Sequence, residues 1–113
     1  MKVAVVGSRD LIIKDLSVYM PCGTTEIISG GARGIDTCAR EYAVKHGLKL
    51  TEFLPEYEKY GREAPLVRDR LIVDAADVVV AIWDGKSRGT MYTVDYAAKV
   101  GKDVRVSITE SDL

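Results

Sequence analysis

The chain has few of the residues that build metal centres and disulfide frameworks. Its 113 residues include two cysteines, Cys22 and Cys38, and one histidine, His46. The cysteines lack C-x-x-C spacing, and the histidine lies beside Gly47 at the predicted end of a helix. A zinc site, a disulfide framework and a serine–histidine–acid triad are therefore not predicted. Isolated thiols are typical of a reducing compartment, and we expect a cytoplasmic location.

A basic surplus and long apolar segments are also missing. The 16 lysines and arginines are balanced by 17 aspartates and glutamates, which gives no charge signature for non-specific nucleic-acid binding. No apolar run approaches the roughly 18 residues of a membrane span. Lys2 is followed by only four apolar residues before Gly7, which does not fit a signal peptide. We expect no membrane association and treat nucleic acid as a minor but open alternative.

What is present is an alternation of short β-branched runs with helical patterns. Runs at 3–6, 26–29, 50–54, 77–83 and 104–108 are bounded by turn residues and predict strands. Helical spacing predicts helices from Ile35, Pro65 and Thr90, a weaker helix over 16–20, and a loop or short helical turn over 56–61. This order predicts an α/β fold, a three-layer sandwich with a mostly parallel, about five-stranded sheet and helices on both faces. We expect one domain over residues 1–113.

Three of these strands are followed by segments rich in glycine and basic residues. Because ligands bind beyond the carboxyl ends of parallel strands, the three segments are expected to converge on one cleft. Glycine permits close backbone approach, a helix N-terminus offers N–H groups, and arginine matches phosphate oxygens. Each segment alone also fits an ordinary turn, but together they predict a phosphate site. Its predicted residues are Gly7, Ser8, Arg9, Gly30, Gly31, Arg33, Gly34, Asp84, Gly85, Ser87, Gly89 and Thr90.

The common nucleotide motifs are absent from these segments. Residues 30–34 do not form G-x-G-x-x-G, and no Walker A lysine motif is present, so neither a conventional dehydrogenase site nor a P-loop is predicted. Asp10 and Asp84 are expected in the cleft, where a carboxylate accepts hydrogen bonds from a ribose hydroxyl or a base.

Four segments, VAVVGSRD, ISGGARGID, RDRLIVDAADVVVAIWDG and SRGTMYTVDYA, together resemble the SLOG superfamily of Rossmann-like nucleotide-binding domains. The similarity is greatest to its YspA-like branch and runs from Lys2 to about Gly101. It implies a nucleotide ligand of the AMP, ADP-ribose or NAD type, no further cofactor, a homodimer, and a role as a sensor or accessory module. It adds Ser29 and Arg68 to the predicted ligand-binding residues.

One group of relatives implies a reaction. Lysine-decarboxylase-like cytokinin-activating enzymes cleave the base from a nucleoside 5′-monophosphate, and their signature is an Arg-Lys pair followed by PGGxGTxxE. Arg68 matches the arginine, Asp69 replaces the lysine, and Thr93 occupies the position of the catalytic glutamate. An N-glycosidase (phosphoribohydrolase) activity therefore stays an alternative, with Arg68, Asp84 and Asp95 as candidate catalytic residues.

A second relative implies a different ligand. The DNA-processing protein of natural transformation has a GSR loop and an SG-x-ARGID loop, and it loads single-stranded DNA. Residues 7–9 and 29–36 match these loops, and Arg68 resembles a further arginine of that protein. Single-strand binding is therefore the other alternative, although this chain lacks a surplus of positive charge.

Overall fold

Five parallel strands form one sheet in the computed structural model, which describes residues 1–112. Their order in the sheet is β3-β2-β1-β4-β5. The bounds are β1 Lys2–Gly7, β2 Glu26–Ser29, β3 Lys49–Glu52, β4 Val78–Trp83 and β5 Asp103–Ile108. The predicted α/β class and the parallel sheet are confirmed.

Four α-helices connect or follow these strands: α1 Ile35–Lys45, α2 Tyr57–Tyr60, α3 Ala64–Ala75 and α4 Arg88–Lys99. The helix predicted over 16–20 is wrong, because the structure has only a 3₁₀ turn at Ser17–Tyr19. Asp15 accepts the Ser17 N–H, and Pro21 ends the segment after one turn, so a second helical turn cannot form. Within residues 1–112, no helix is both long enough and apolar enough to cross a membrane.

The sheet is covered on both faces, as the poorly alternating β1 and β4 indicated. One face packs against α1 and the irregular segment 8–20, through side chains such as Val5, Ile27 and Val80. The other face packs against α3 and α4, through Val6 and Val79 among others. Inside β1 and β4 the side chains are almost entirely buried, which fits the continuous apolar character of these strands.

The central position of β1 creates a switch point in the sheet. From β1 the chain runs outward to β2 and β3, then crosses back to place β4 on the other side of β1. The connections on the two sides diverge, which leaves a crevice beyond the carboxyl ends of β1 and β4. The segments that follow β1, β2 and β4 all lie at this edge of the sheet. We name them the β1 loop (8–10), the α1 loop (30–34) and the α4 loop (84–87).

Candidate nucleotide site

A cleft of about 550 Å³ opens at this switch point. Its volume lies within the range of small-molecule sites, roughly 300–1,000 Å³. The β1 loop, the α1 loop, the first two turns of α3, and the α4 loop with the start of α4 form its walls. Of the predicted ligand-binding residues, its lining includes Gly7, Arg9, Arg33, Arg68, Asp84, Ser87, Gly89 and Thr90. The others are not part of the lining: Ser8, Ser29, Gly30, Gly31, Gly34 and Gly85.

The β1 loop joins the neighbouring elements through Ser8, which is buried. Ser8 Oγ accepts the Asp84 N–H at 3.0 Å, and the Ser8 carbonyl accepts the Ile35 N–H at 3.3 Å. One residue earlier, a Cβ on Gly7 would lie 2.6 Å from the Cβ of Ile35. Glycine at 7 therefore lets the start of α1 pack directly on the end of β1.

At the start of α1, the Ile35 N–H of the helix and the Ala32 N–H of the loop before it bond to the protein's own oxygen atoms. Gly34 has φ +73°, and a Cβ there would lie 2.5 Å from the Ser8 carbonyl oxygen. The Ile35 N–H is used by Ser8, and Asp36 Oδ2 accepts the Ala32 N–H at 3.1 Å. Arg33 instead reaches Asp10 at 3.2 Å, with both side chains at least 75% exposed. The α1 loop therefore serves as a tight turn that is closed by internal contacts.

Arg68 of α3 holds the α1 loop from the other side. Its guanidinium is buried; Nη1 donates to the Gly30 carbonyl at 2.7 Å, and Nε donates to Asp69 Oδ1 at 2.8 Å. A Cβ on Gly30 would lie 2.5 Å from Arg68 Nη1 and 2.9 Å from Asp36 Oδ2. Glycine at 30 thus leaves the room in which an arginine and two aspartates meet.

Both aspartates beside Arg68 have raised pKa values. Burial is the largest cause for each, since it disfavours the charged carboxylate. The Ala32 N–H and the charge of Arg68 partly offset the rise in the pKa of Asp36. Arg68, the Thr93 hydroxyl and the charge of Arg9 partly offset it for Asp69. Arg68 uses two of its five N–H donors for Asp69 and Gly30, and these two bonds fix its guanidinium against the α1 loop.

The N-terminus of α4 is more open. Ser87 caps the helix by accepting the Thr90 N–H, and its carbonyl accepts the Trp83 Nε1–H at 2.9 Å. Asp84 Oδ1 accepts the N–H groups of Lys86 and Ser87, which lowers its pKa. At Gly89 a Cβ would meet no atom within 4 Å. Ser87, Gly89 and Thr90 line the cleft, so the positive end of the α4 dipole lies at its wall.

The first part of this site has a relative among known protein families. A family model described as DNA recombination-mediator protein A matches residues 1–56. The match spans β1 to β3 and includes the β1 and α1 loops. It supports a relationship to the DNA-processing branch of the SLOG superfamily; the YspA-like and cytokinin-activating resemblances stay predictions. Comparison with curated proteins and with solved structures gives no significant match.

The half beyond the match to DNA recombination-mediator protein A contains the candidate catalytic residues. Arg68 and Asp84 line the same cleft, but Asp95 lies with Arg70 and Tyr96 in a separate surface depression on α3 and α4. Thr93 lines the cleft and donates its hydroxyl hydrogen to the Gly89 carbonyl at 3.0 Å. The structure therefore does not bring Asp95 to the site.

Three charged side chains of the lining were not among the predicted site residues: Asp36, Asp69 and Lys86. For Asp69 a signal existed, because it replaces the lysine of the cytokinin-activating signature. For Asp36 the position in the first turn of α1 favoured a merely structural carboxylate. Among residues 1–112, no group of three or more histidine, cysteine or acidic side chains is placed to hold a metal ion.

Proposed function

We propose that the protein binds a nucleotide or nucleotide-derived ligand, of the AMP, ADP-ribose or NAD type, as a sensor or accessory module. The observation that carries this proposal is the convergence of the β1 loop, α3 and the α4 loop on one cleft at the switch point of the sheet. Such a crevice is where open α/β sheets hold their ligands. Its volume of about 550 Å³ suits a mononucleotide or a moderately larger derivative.

We place the phosphate at the α4 end of the cleft. There the first turn of α4 supports an anion through its dipole and its backbone N–H groups. Lys86 and Arg9 line the same cleft and add positive charge. At the α1 end, the Ser8 carbonyl uses the Ile35 N–H, and Asp36 uses the Ala32 N–H of the loop.

The balance of charge in the cleft also favours a small ligand over a long polyanion. The lining has four basic side chains and four acidic ones: Arg9, Arg33, Arg68, Lys86, Asp10, Asp36, Asp69 and Asp84. A ligand with one phosphate group and several hydroxyl or amino donors matches such a mixture. A backbone that carries a phosphate at every nucleotide would meet the carboxylates as well.

A thermal-shift screen with AMP, ADP, ADP-ribose and NAD tests the proposal, and each mixture is then separated by HPLC. At about 100 times its dissociation constant, a ligand stabilises the fold by roughly 2.7 kcal/mol, which corresponds to several degrees. We expect such a shift with intact ligand, reduced in Arg9→Ala and kept in Arg105→Ala, a control on exposed β5. Free base or nicotinamide would instead support the N-glycosidase alternative. No shift with any of the four would contradict nucleotide binding.

Single-stranded DNA binding is the second candidate, and the match to DNA recombination-mediator protein A favours it. The matched residues include the β1 and α1 loops, two of the three that meet at the cleft. This candidate predicts an affinity for oligonucleotides far above that for mononucleotides, and it predicts that the affinity falls steeply with salt. Titration of a labelled oligonucleotide at two salt concentrations separates the candidates. Equal affinity for AMP and the oligonucleotide would argue against it.

We also propose a homodimer, as the SLOG resemblance implies. Light scattering coupled to gel filtration measures the mass directly. A mass near the 12.4 kDa of one chain at micromolar concentration would contradict the proposal.

A further inference from the structure

Asp69 is the cleft carboxylate whose position fits a ribose. It lies on α3 and lines the cleft, and its Oδ1 accepts the Arg68 Nε–H at 2.8 Å. A carboxylate has about four acceptor sites, so Asp69 can accept a further hydrogen bond beside its contacts with Arg68 and the Thr93 hydroxyl. A carboxylate oxygen is an acceptor, and the donors that a nucleotide offers are its ribose hydroxyls and the amino groups of its base.

The distance between the proposed phosphate position and Asp69 supports a contact of Asp69 with the ribose. Asp69 and Thr93 line the same cleft, and the Thr93 hydroxyl is among the groups that lower the pKa of Asp69, so the two side chains are neighbours. Thr93 lies one helical turn after Gly89, about 6 Å along α4. A phosphate at the first turn of α4 would therefore have Asp69 roughly one turn away. In a nucleotide, the ribose is joined to the 5′-phosphate through a single methylene group, so its ring falls within that distance.

The other three carboxylates of the cleft belong to the loops and have partners there. Asp10 Oδ1 pairs with Arg33 at 3.2 Å. Asp36 Oδ2 accepts the Ala32 N–H and holds the α1 loop. Asp84 Oδ1 accepts two N–H groups of the α4 loop. Arg68 beside Asp69 also offsets its negative charge, which limits repulsion of the ligand's phosphate.

We propose that Asp69 accepts a hydrogen bond from a ribose hydroxyl and thereby selects ribonucleotides over deoxyribonucleotides. This inference rests on the proposed nucleotide binding and assigns the part of the ligand that α3 contacts. A hydrogen bond to a charged acceptor, with the acceptor left unsatisfied by the analogue, corresponds to a discrimination of about tenfold or more.

Calorimetric titration with AMP, 2′-deoxy-AMP and 3′-deoxy-AMP tests the assignment. The wild-type protein is expected to bind at least one deoxy analogue about tenfold more weakly than AMP. In Asp69→Asn this preference is expected to fall below about threefold, because the isosteric amide is a weaker acceptor. Asp74→Asn is the matched control: it removes a carboxylate of the same helix that bonds Tyr96 outside the cleft, and it is expected to keep the preference.

Each outcome is decisive. Equal wild-type affinity for all three ligands, or an unchanged preference in Asp69→Asn, overturns the inference but leaves nucleotide binding intact. Loss of the preference in Asp84→Asn alone assigns the ribose to Asp84 and also overturns it. If no nucleotide binds, both proposals fail together. Should Asp69→Asn not fold, Asp69→Glu, which keeps a carboxylate, is expected to retain the preference, and its loss there counts against the inference.

Discussion

Two regions of this protein, the α1 loop and the α4 loop, occupy equivalent positions in the fold but differ in the contacts at the helix N-terminus. Each follows a buried strand, contains glycine, and leads into a helix of 11 or 12 residues. At α1, Gly34 lies against the Ser8 carbonyl and Asp36 takes the Ala32 N–H. At α4, Ser87 caps one N–H, and the space beside Gly89 is empty of protein atoms.

The difference shows that a glycine-rich turn before a helix does not by itself define a phosphate site. Whether the helix N-terminus can bind an anion depends on what else reaches it. The α1 loop is closed by Arg68 from α3 and by Ser8 from the β1 loop. The α4 loop stays open at the cleft wall. We therefore assign the α1 loop to stability and propose the α4 loop for ligand binding, and substitutions can separate these roles.

The largest effect is expected from Arg68→Ala. Removing this buried guanidinium leaves Asp69 and the Gly30 carbonyl without their partner, and unpaired buried charges destabilise folds by about 3–5 kcal/mol. Lys86→Ala in the α4 loop is expected to change the free energy of unfolding by less than about 0.5 kcal/mol. Urea unfolding measures both. A similar free energy of unfolding for the two variants would contradict the assignment of the α1 loop to stability.

The next largest effect is expected from the glycines themselves. Gly34→Ala combines a positive φ with collision against the β1 loop, and we expect a loss of about 3 kcal/mol. Gly85→Ala has a positive φ but only Ile108 at 3.9 Å, so about 1 kcal/mol is expected. Gly89→Ala places a methyl group in open space at the start of a helix and is expected to be neutral or slightly stabilising. A Gly89→Ala loss as large as that of Gly34→Ala would contradict the assignment.

A smaller effect is expected on AMP affinity, which should depend more on the basic residue of the α4 loop than on that of the α1 loop. Lys86→Ala is expected to weaken the affinity about tenfold, since a charge-assisted contact to phosphate is lost. Arg33→Ala is expected to change it less than about threefold, because Arg33 is exposed and paired with Asp10. Calorimetric titration gives both dissociation constants. The reverse order would place the phosphate at the α1 loop.

The smallest effect is a pH dependence of stability. Burial raises the pKa of Asp69 above its ordinary 3.8, so the folded state takes up a proton at higher pH than the unfolded state does. The contribution of Asp69 to stability therefore improves as pH falls from 7 towards 3.8. We expect the stability of wild type minus that of Asp69→Asn to increase over this interval in urea unfolding. A decrease would show that the pKa of Asp69 is lowered instead.

Much of the fold could be predicted from the sequence because its signals are local. The apolar runs of β1 and β4 and the glycines that follow them identify buried parallel strands without any tertiary information. The helix expected over 16–20 failed for a local reason too, since Asp15 accepts the Ser17 N–H and Pro21 ends the segment after one 3₁₀ turn.

The site was harder to predict because the accessibility of each loop depends on contacts between residues that are distant in the sequence. The sequence placed Gly30 and Arg68 in one cleft, but it did not indicate that Arg68 bonds the Gly30 carbonyl 38 residues away. The sequence also did not indicate that the carboxylates of Asp36 and Asp69 would both lie beside the Arg68 guanidinium. Such contacts decide which loop is closed, and no local pattern encodes them.

Amide chemical shifts of ¹⁵N-labelled protein during an AMP titration test the central claim most directly. If the phosphate binds at the open helix N-terminus, the largest changes will fall on Arg88, Gly89 and Thr90, with smaller ones on Gly31 and Gly34. Largest changes at Gly31 and Gly34, with α4 unaffected, would contradict the account and make the α1 loop the phosphate site.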